Sequence, residues 1–437
     1  MPYALNLIYL AVLLASAPVL LYRAVRLGKY RQGWVQKLVG RAPRRMGSRP
    51  CVWFHAVSVG EVRQLKPVVT ELASRRPGWD VVISTTTADG LAQARRLYPE
   101  FVTFYAPLDF SWSTSRAVAR VRPTVLALVE LELWPNLIWA VKRSGAQVAI
   151  INGRLSVRSH KGYSRLRGPL GPTLQRLDAV AAQTTEYAER FVSLGVPEQR
   201  VRVTGSIKYD GLESDRNNAR TLALRRALGL HPADIVFVAG STMEGEEAAA
   251  LEAYRTARKQ HPRLRLVLVP RHSQRFDRVA AWLDQQGEFV VRRSQAEPAA
   301  TRGRGEQPPV VLVDTIGELS AVWGLADVAF VGGSLSSGRG GQNMMEPAAY
   351  GAAVLFGRHT ENFRDTVEQL LTRRAARVVA DAAGLAAALI EDLNDPESAA
   401  ARGTAARTFV LAQIGASDRT LAELNRLVEA ATTRKIA

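Results

Sequence analysis

One cysteine, Cys51, stands in 437 residues, so no intrachain disulfide can brace the fold. That usage fits a reducing compartment. Zinc chemistry has little to work with, because the six histidines are scattered, there is one cysteine, and no His/Cys cluster has the spacing of a zinc site. There is no G-x-G-x-x-G, which weakens dinucleotide binding, and no G-x-x-x-x-G-K-[ST], which weakens a P-loop nucleotidase. D-x-D is missing too, and with it the usual metal-chelating signal of a metal-dependent sugar transferase. A metal-free enzyme without a cofactor, or a binding protein, remains. Acidic residues are absent from the start of the chain, where the first is Glu61.

Base is what the chain has in excess. Lys and Arg number 58 against 40 Asp and Glu, a net charge of +18, so an anionic partner is expected. Residues 2–22, PYALNLIYLAVLLASAPVLLY, carry no charge. A helix of that length is about enough to cross a hydrocarbon core of ~30 Å. Ala15-Ser16-Ala17 resembles a signal-peptide cleavage site. Against cleavage, no Lys or Arg precedes the run, Pro18 would follow the cut, and apolar sequence continues beyond it. Basic residues crowd the far side: Arg23, Arg26, Lys29, Arg31, Lys37, Arg41, Arg44, Arg45 and Arg49. The expectation is an uncleaved single-pass transmembrane anchor over 2–22. A basic juxtamembrane segment over 23–50 would lie against anionic inner-membrane lipids, with the main body on the cytoplasmic side. Nucleic acid is excluded as the partner, since the charge sits beside the apolar run without interleaved aromatics or a reading module.

Beyond residue 50, short apolar runs alternate with helical patterns. Strands are expected at 51–57, 80–85, 101–105, 124–129, 147–151, 178–182 and 200–204. The pattern restarts at 229–240 and continues at 264–269, 289–291, 310–313, 327–331, 353–356 and 377–380. Alternation of this kind means a parallel sheet covered on both faces. The fold class is therefore α/β, with two doubly wound domains over 51–215 and 223–395. A polar hinge lies near 209–222, and two Ala-rich helices follow over 396–437. One segment, 301–309, is biased toward Arg, Gly and Pro.

Open α/β sheets bind ligands beyond the carboxyl ends of their strands. The first expected strand runs into Ser58-Val59-Gly60-Glu61. Ser-x-x-Glu is a capping-box pattern. It also suits a general base, with Gly60 letting a ligand approach the backbone. The fourth strand ends in Glu130 and Glu132 among apolar neighbours, where carboxylates want cationic or hydroxyl partners. Lys208 follows a glycine at a strand exit and can pair with an anion. In the second half, GSTMEGEE (240–247) opens a helix with three glutamates, read as surface charge. Pro270 ends a strand and Arg271 stands at its exit, placed to grip a phosphate. Ile316-Gly317-Glu318 is another strand exit. The Gly-rich stretch from 331 into Asn343-Met344-Met345-Glu346 reads as an amide-lined anion site with a carboxylate for a ribose diol.

FHAVSVGEV, STTTADG, ELELWPN, INGRLS, GSIKYD, VPRH, GELSAVWGLADVAFVGGS and GGQNMMEPAAYG, in that order, resemble the 3-deoxy-D-manno-octulosonic acid (Kdo) transferases of lipopolysaccharide synthesis. The resemblance covers nearly the whole chain. It implies a GT-B fold of two Rossmann-like domains facing a cleft, and inverting transfer of Kdo from CMP-Kdo to a lipid A precursor. Glu61 then matches the catalytic base, and Glu132 and Lys208 match positions that stabilise the transition state. Ser58 and Gly60 would touch substrate. Pro270, Arg271, Ile316, Gly317, Glu318, Asn343, Met344, Met345 and Glu346 match the CMP-binding segments. The sequence departs from the pattern at Gln342, often His in the family, at Leu131, often Thr, and at Ser206, often Asn. Another membrane-associated GT-B glycosyltransferase, a nucleotide-sugar epimerase and a catalytically inactive tethered binder stay open as alternatives.

Overall fold

The structure, a computed structural model, describes residues 2–27, 32–295 and 308–436. Lys29 and Arg31 of the basic segment and residues 301–307 of the biased stretch lie outside the described residues, as does the side chain of Arg23. The chain divides into two units, one of residues 1–210 with 413–437 and one of residues 211–412.

The first unit is built on β1 (Cys51–His55), β2 (Asp80–Thr85), β3 (Val102–Tyr105), β4 (Val125–Val129), β5 (Gln147–Gly153), β6 (Ala179–Ala182) and β7 (Val201–Val203). All pair in parallel, in the order β3-β2-β1-β4-β5-β6-β7. Strands β1, β4 and β5 are buried on both faces, which is why they read as unbroken apolar runs rather than alternating ones. One side packs Trp53, Phe104, Leu126, Leu128 and Ile150, and the other packs Phe54, Ile83, Ala127 and Val129. The last helix, Ala416–Ile436, belongs to this unit and buries Leu421, Leu424, Leu427 and Val428 in the second cluster.

The second unit holds β8 (Ile235–Thr242), β9 (Leu264–Pro270), β10 (Val290–Arg292), β11 (Val310–Leu312), β12 (Val328–Val331), β13 (Ala353–Phe356) and β14 (Arg377–Val378). They form a second seven-stranded sheet in the order β10-β11-β9-β8-β12-β13-β14, again parallel. Each expected strand is present, and the expectation of two parallel-sheet α/β domains holds. The order reverses between β1 and β4 in the first sheet and between β8 and β12 in the second. Those two reversal points are where such sheets open a crevice for a ligand.

The amino terminus differs from expectation. It forms one helix, Pro2–Leu27, yet among the described residues no helix is long and apolar enough to cross a membrane. The transmembrane reading of 2–22 is therefore corrected. Its first turns dock on the first unit instead. Asn6 and Ser111 exchange bonds, Asn6 Nδ2 donating to Ser111 Oγ at 2.7 Å and Ser111 N to Asn6 Oδ1 at 2.9 Å. Tyr9 Oη donates to Asp109 at 3.1 Å, and its ring meets Phe110 edge-on. The remaining arc stays exposed and apolar, with Leu7, Leu14 and Leu21 in one row.

Candidate active site

At the exit of β1, Ser58 caps the helix Val59–Gln64. Glu61 N donates to Ser58 Oγ at 3.2 Å, and Ser58 Oγ donates to Glu61 Oε1 at 2.8 Å. The second carboxylate oxygen accepts from Val57 N at 2.8 Å. Glu61 thus closes a capping box one residue further back than usual, onto the amide before the cap. Burial pushes its pKa above the ordinary glutamate value. The Ser58 hydroxyl and the Val57 amide oppose the shift, and the charge of Glu130 adds to it. A Cβ added to Gly60 would meet only Ser58 Oγ, at 3.7 Å. No packing demands the glycine, and the space beside it is open to a ligand.

At the exit of β4, Glu130 adopts a left-handed backbone, φ 58°. Strain of this kind clusters at functional sites. Glu132 Oε2 accepts from Trp134 Nε1 at 2.7 Å. Burial is the main cause that raises the Glu132 pKa to about 7. The indole donor pulls it down, and the charges of Glu61 and Glu130 push it up. Glu61, Glu130 and Glu132 therefore share one electrostatic neighbourhood. Lys208 brings the compensating charge, its Nζ 3.7 Å from Glu130 Oε1. So the lysine pairs with Glu130 rather than with Glu132.

Three more residues build this neighbourhood. Asn152, buried and left-handed at φ 52°, donates to Gln64 Oε1 at 2.9 Å and accepts from Ile207 N at 3.2 Å. It links the helix that carries Glu61 to the turn that carries Lys208. Asp109 accepts from Asn136 N at 3.0 Å and Leu137 N at 2.8 Å, capping the helix Pro135–Arg143 just beyond Glu132. Burial raises its pKa to about 7 against those donors. His55 lies fully buried beneath the Trp134 ring, 5.3 Å between centroids, and burial lowers its pKa to about 4. That imidazole is neutral near pH 7 and is not a proton carrier there. Asn152 and His55 fall within the quoted INGRLS and FHAVSVGEV motifs without being singled out there, and Asp109 carried no local signal.

In the second unit, β9 ends at Pro270, and Arg271 N donates to Thr242 O at 3.0 Å, leaving its side chain exposed. Asn343 Nδ2 donates to Glu346 Oε1 at 3.0 Å while its Oδ1 accepts from Met345 N at 3.1 Å. Burial raises the Glu346 pKa, and Asn343 and the charge of Arg271 oppose it, so these three candidates do share a site. Met344 and Met345 are buried, so their side chains serve the core. Ile316 is 83% exposed and Gly317 turns at φ 90°. Glu318 is occupied by Arg293, at 3.0 Å, and by Thr315.

Two expectations are corrected here. Glu246 and Glu247 are not surface charge, since they are 1% and 3% exposed. The Glu246 carboxylate accepts from Met243 N at 2.8 Å, Gly333 N at 2.7 Å, Ser334 N at 2.9 Å and Leu335 N at 3.0 Å. Those loop amides were expected to hold an anionic ligand, and an internal anion holds them instead. A Cβ at Gly332 would sit 2.6 Å from Ser241 O, 2.7 Å from Thr242 Cα and 2.8 Å from Glu246 Oε2, so only glycine fits beside this backbone and the carboxylate. Glu247 forms a two-pronged pair with Arg275, both contacts at 2.8 Å. Among the described residues, no group of three or more His, Cys, Asp or Glu is placed to hold a metal ion.

Residues 26–211 match the family model described as 3-deoxy-D-manno-octulosonic-acid transferase (kdotransferase). A 3-deoxy-D-manno-octulosonic acid transferase of Haemophilus influenzae is 32% identical over 96% of this chain and 98% of its own length. One of Bordetella pertussis is 37% identical over 85% and 86%. Among solved structures, UDP-GlcNAc 2-epimerase from Neisseria meningitidis bound to UDP-GlcNAc superposes with a TM-score of 0.55 at 14% identity, over 86% of this chain and all of that one. At that identity the likeness speaks for the fold alone. Sequence kinship over almost the full length of these relatives places the chain in the 3-deoxy-D-manno-octulosonic acid transferase family.

Proposed function

We propose that this protein transfers Kdo from CMP-Kdo to a lipid A precursor, with inversion at the anomeric carbon and without a metal ion. The observation that carries the reading is the set of carboxylates at the exits of β1 and β4. Glu61 is held by two donors and raised in pKa, and Glu130 and Glu132 stand within its field.

Glu61 is the general base. An acceptor hydroxyl is a weak nucleophile until a carboxylate takes its proton in the transition state. A base with a raised pKa gains more from that proton than an ordinary glutamate does. Gly60 leaves the space for the hydroxyl to approach, and Ser58 keeps the carboxylate aimed. As CMP departs, the sugar develops oxocarbenium character and the phosphate gathers negative charge. The ionised form of Glu132 would steady the cationic sugar, with Lys208, restrained by Glu130, as the cation that tempers these acids. On the second unit, Arg271 would grip the phosphate, with the Ile316-Gly317-Glu318 turn beside it. Glu346, oriented by Asn343, would bond the ribose hydroxyls.

The protein works at the cytoplasmic side of the inner membrane. In place of a crossing, the N-terminal helix lies in the interface. Tyr9 and Asn6 hold it to the first unit, and the opposite arc, bearing Leu7, Leu14 and Leu21, enters the acyl layer. Arg26, Arg41, Arg44 and Arg49, exposed beside Val35, Val39 and Met46, would meet anionic headgroups.

The test is turnover in detergent with chelator present. Full-length protein is given CMP-Kdo and a tetra-acylated lipid A precursor, beside Glu61→Ala. Release of CMP with a Kdo-sized gain in lipid mass, lost in the variant, is the expected result. Binding of CMP without turnover would favour an inactive binder, and failure to bind CMP would favour a UDP-sugar enzyme of the same fold.

A further inference from the structure

The N-terminal helix does more than rest on the first unit. It lines one side of an open cavity of about 290 Å³ whose apolar lining includes Tyr9, Val12, Leu13, Phe110, Leu133 and Trp134. We propose that this cavity seats a segment of one acyl chain of the acceptor glycolipid. The inference rests on the proposed transferase reading and extends it to the acceptor's lipid half.

The chemistry of the walls selects the ligand. Polar atoms at the cavity are already engaged. Tyr9 Oη donates to Asp109, whose carboxylate also accepts two amides of the helix Pro135–Arg143. Ser16 Oγ donates back to Val12 O at 2.8 Å, within its own helix. A polar ligand would find few partners there, and an apolar one loses nothing. The volume lies at the lower end for ligand pockets, ~300 Å³, which suits part of one chain and not a sugar head.

Position commits the occupant. Trp134 forms a wall of the cavity and donates its Nε1–H to Glu132 at 2.7 Å. One indole therefore separates the apolar space from the candidate catalytic carboxylates. A molecule with its polar head at Glu61 and Glu132 and its tail in the cavity is an amphiphile. The acceptor is the amphiphile of the proposed reaction. Val12 lines the cavity and is also exposed on the helix, so the space is continuous with the arc assigned to the acyl layer. A chain can enter sideways from lipid. Because an acyl chain gains little on moving from lipid to an apolar pocket, the cavity chiefly fixes position. It aligns the sugar hydroxyl with Glu61 rather than adding much affinity.

The test uses full-length protein in nanodiscs and a lipid A precursor whose one acyl chain ends in a photoreactive diazirine. After irradiation, adducts are mapped by peptide mass spectrometry. The expected adducts fall on Val12, Leu13, Leu133 or Trp134. Leu13→Trp, which fills the cavity, should cut them at least fivefold, and Val12→Trp should do the same from the exposed side. Either variant should also lower kcat/KM for the acylated acceptor about tenfold while melting as the parent does. Adducts confined to Leu7, Leu14 and Leu21 would overturn the proposal, because they report ordinary surrounding lipid. Turnover of the probe without cavity adducts refutes the acyl seat and spares the transferase reading. Cavity adducts without turnover do the reverse, and absence of both removes the two together.

Discussion

Under the proposed mechanism, the hydrogen bond from Trp134 to Glu132 should set the acidic limb of the pH–rate profile. Glu132 stands at about 7 as a balance in which burial lifts it and the indole N–H holds it down. Trp134→Phe keeps an aromatic ring and deletes the donor. A hydrogen bond to a charged group is worth about 1.5–3 kcal/mol. Partial access of water to the half-buried carboxylate reduces that to about 1.4 kcal/mol, or one pKa unit. The sign follows from which form is stabilised. The N–H favours the carboxylate, so its loss favours the acid and the pKa rises. At pH 7 the ionised fraction should fall from about one half to about one tenth, and turnover about fivefold. At pH 9 both proteins are ionised and the rates should converge. The assay is kcat/KM for Kdo transfer from pH 5.5 to 9.5, with Glu132→Gln alongside. A limb that stays in place, or a rate lowered equally at every pH, would refute the reasoning. A limb near 7 that persists in Glu132→Gln would assign it to Glu61.

Other consequences are checked more simply. Glu246→Ala orphans four amides, three of them buried and that of Leu335 half-buried, and should cost the second unit at least about 3 kcal/mol in denaturant unfolding. A loss under about 1 kcal/mol would mean that the amides find other partners. Gly60→Ala should leave the melting temperature unchanged or slightly raised, since the new methyl meets only Ser58. It should also raise KM for the acceptor severalfold, and unaltered kinetics would move the acceptor elsewhere. Exchange of Leu7, Leu14 and Leu21 together for Ser should release the protein from vesicles containing anionic lipid, with soluble-acceptor turnover retained. Cosedimentation equal to the parent would remove the helix from the interface. Glu132 gains a proton affinity on folding, so its contribution to stability is full below about pH 4.5 and is lost as pH rises through about 7. Glu132→Gln should flatten that decline in a series of chemical melts.

Much of the fold could be read from the chain because parallel strands buried on both faces leave continuous apolar runs such as CVWFH and VLALV. The strand exits were legible for the same reason, since a polar residue that breaks such a run marks the end of a strand. What could not be read is set by distance along the chain. Asn6 meets Ser111 across 105 positions, and Glu246 meets Ser334 across 88. In sequence, one is a flaw in an apolar run and the other an ordinary acid at a helix start. Only the folded sheet brings the loop amides to Glu246 and the Asp109 turn to the N-terminal helix. The methionine pair shows a different limit. Asn343-Met344-Met345-Glu346 is one contiguous motif, but the helix turns Met344 and Met345 inward while Asn343 and Glu346 bond each other.

Ser58-Val59-Gly60-Glu61 admits two readings in sequence, a helix cap or a catalytic base; the geometry shows the cap, and the proposed base role is compatible with it. A base must be dry enough to hold a raised pKa and yet fixed in aim. A free glutamate at a strand exit would be neither, because water would solvate it and its rotamers would spread. The cap removes that freedom, since Ser58 and the Val57 amide hold both carboxylate oxygens. Those same bonds lower the pKa, which alone would weaken the base. Burial and the charge of Glu130 act the other way, and the net shift is upward. The cost of keeping three carboxylates together is eased by Lys208 on Glu130 and by the indole on Glu132. A cap with no chemical task would have no use for that crowding, because one acid suffices to close a capping box.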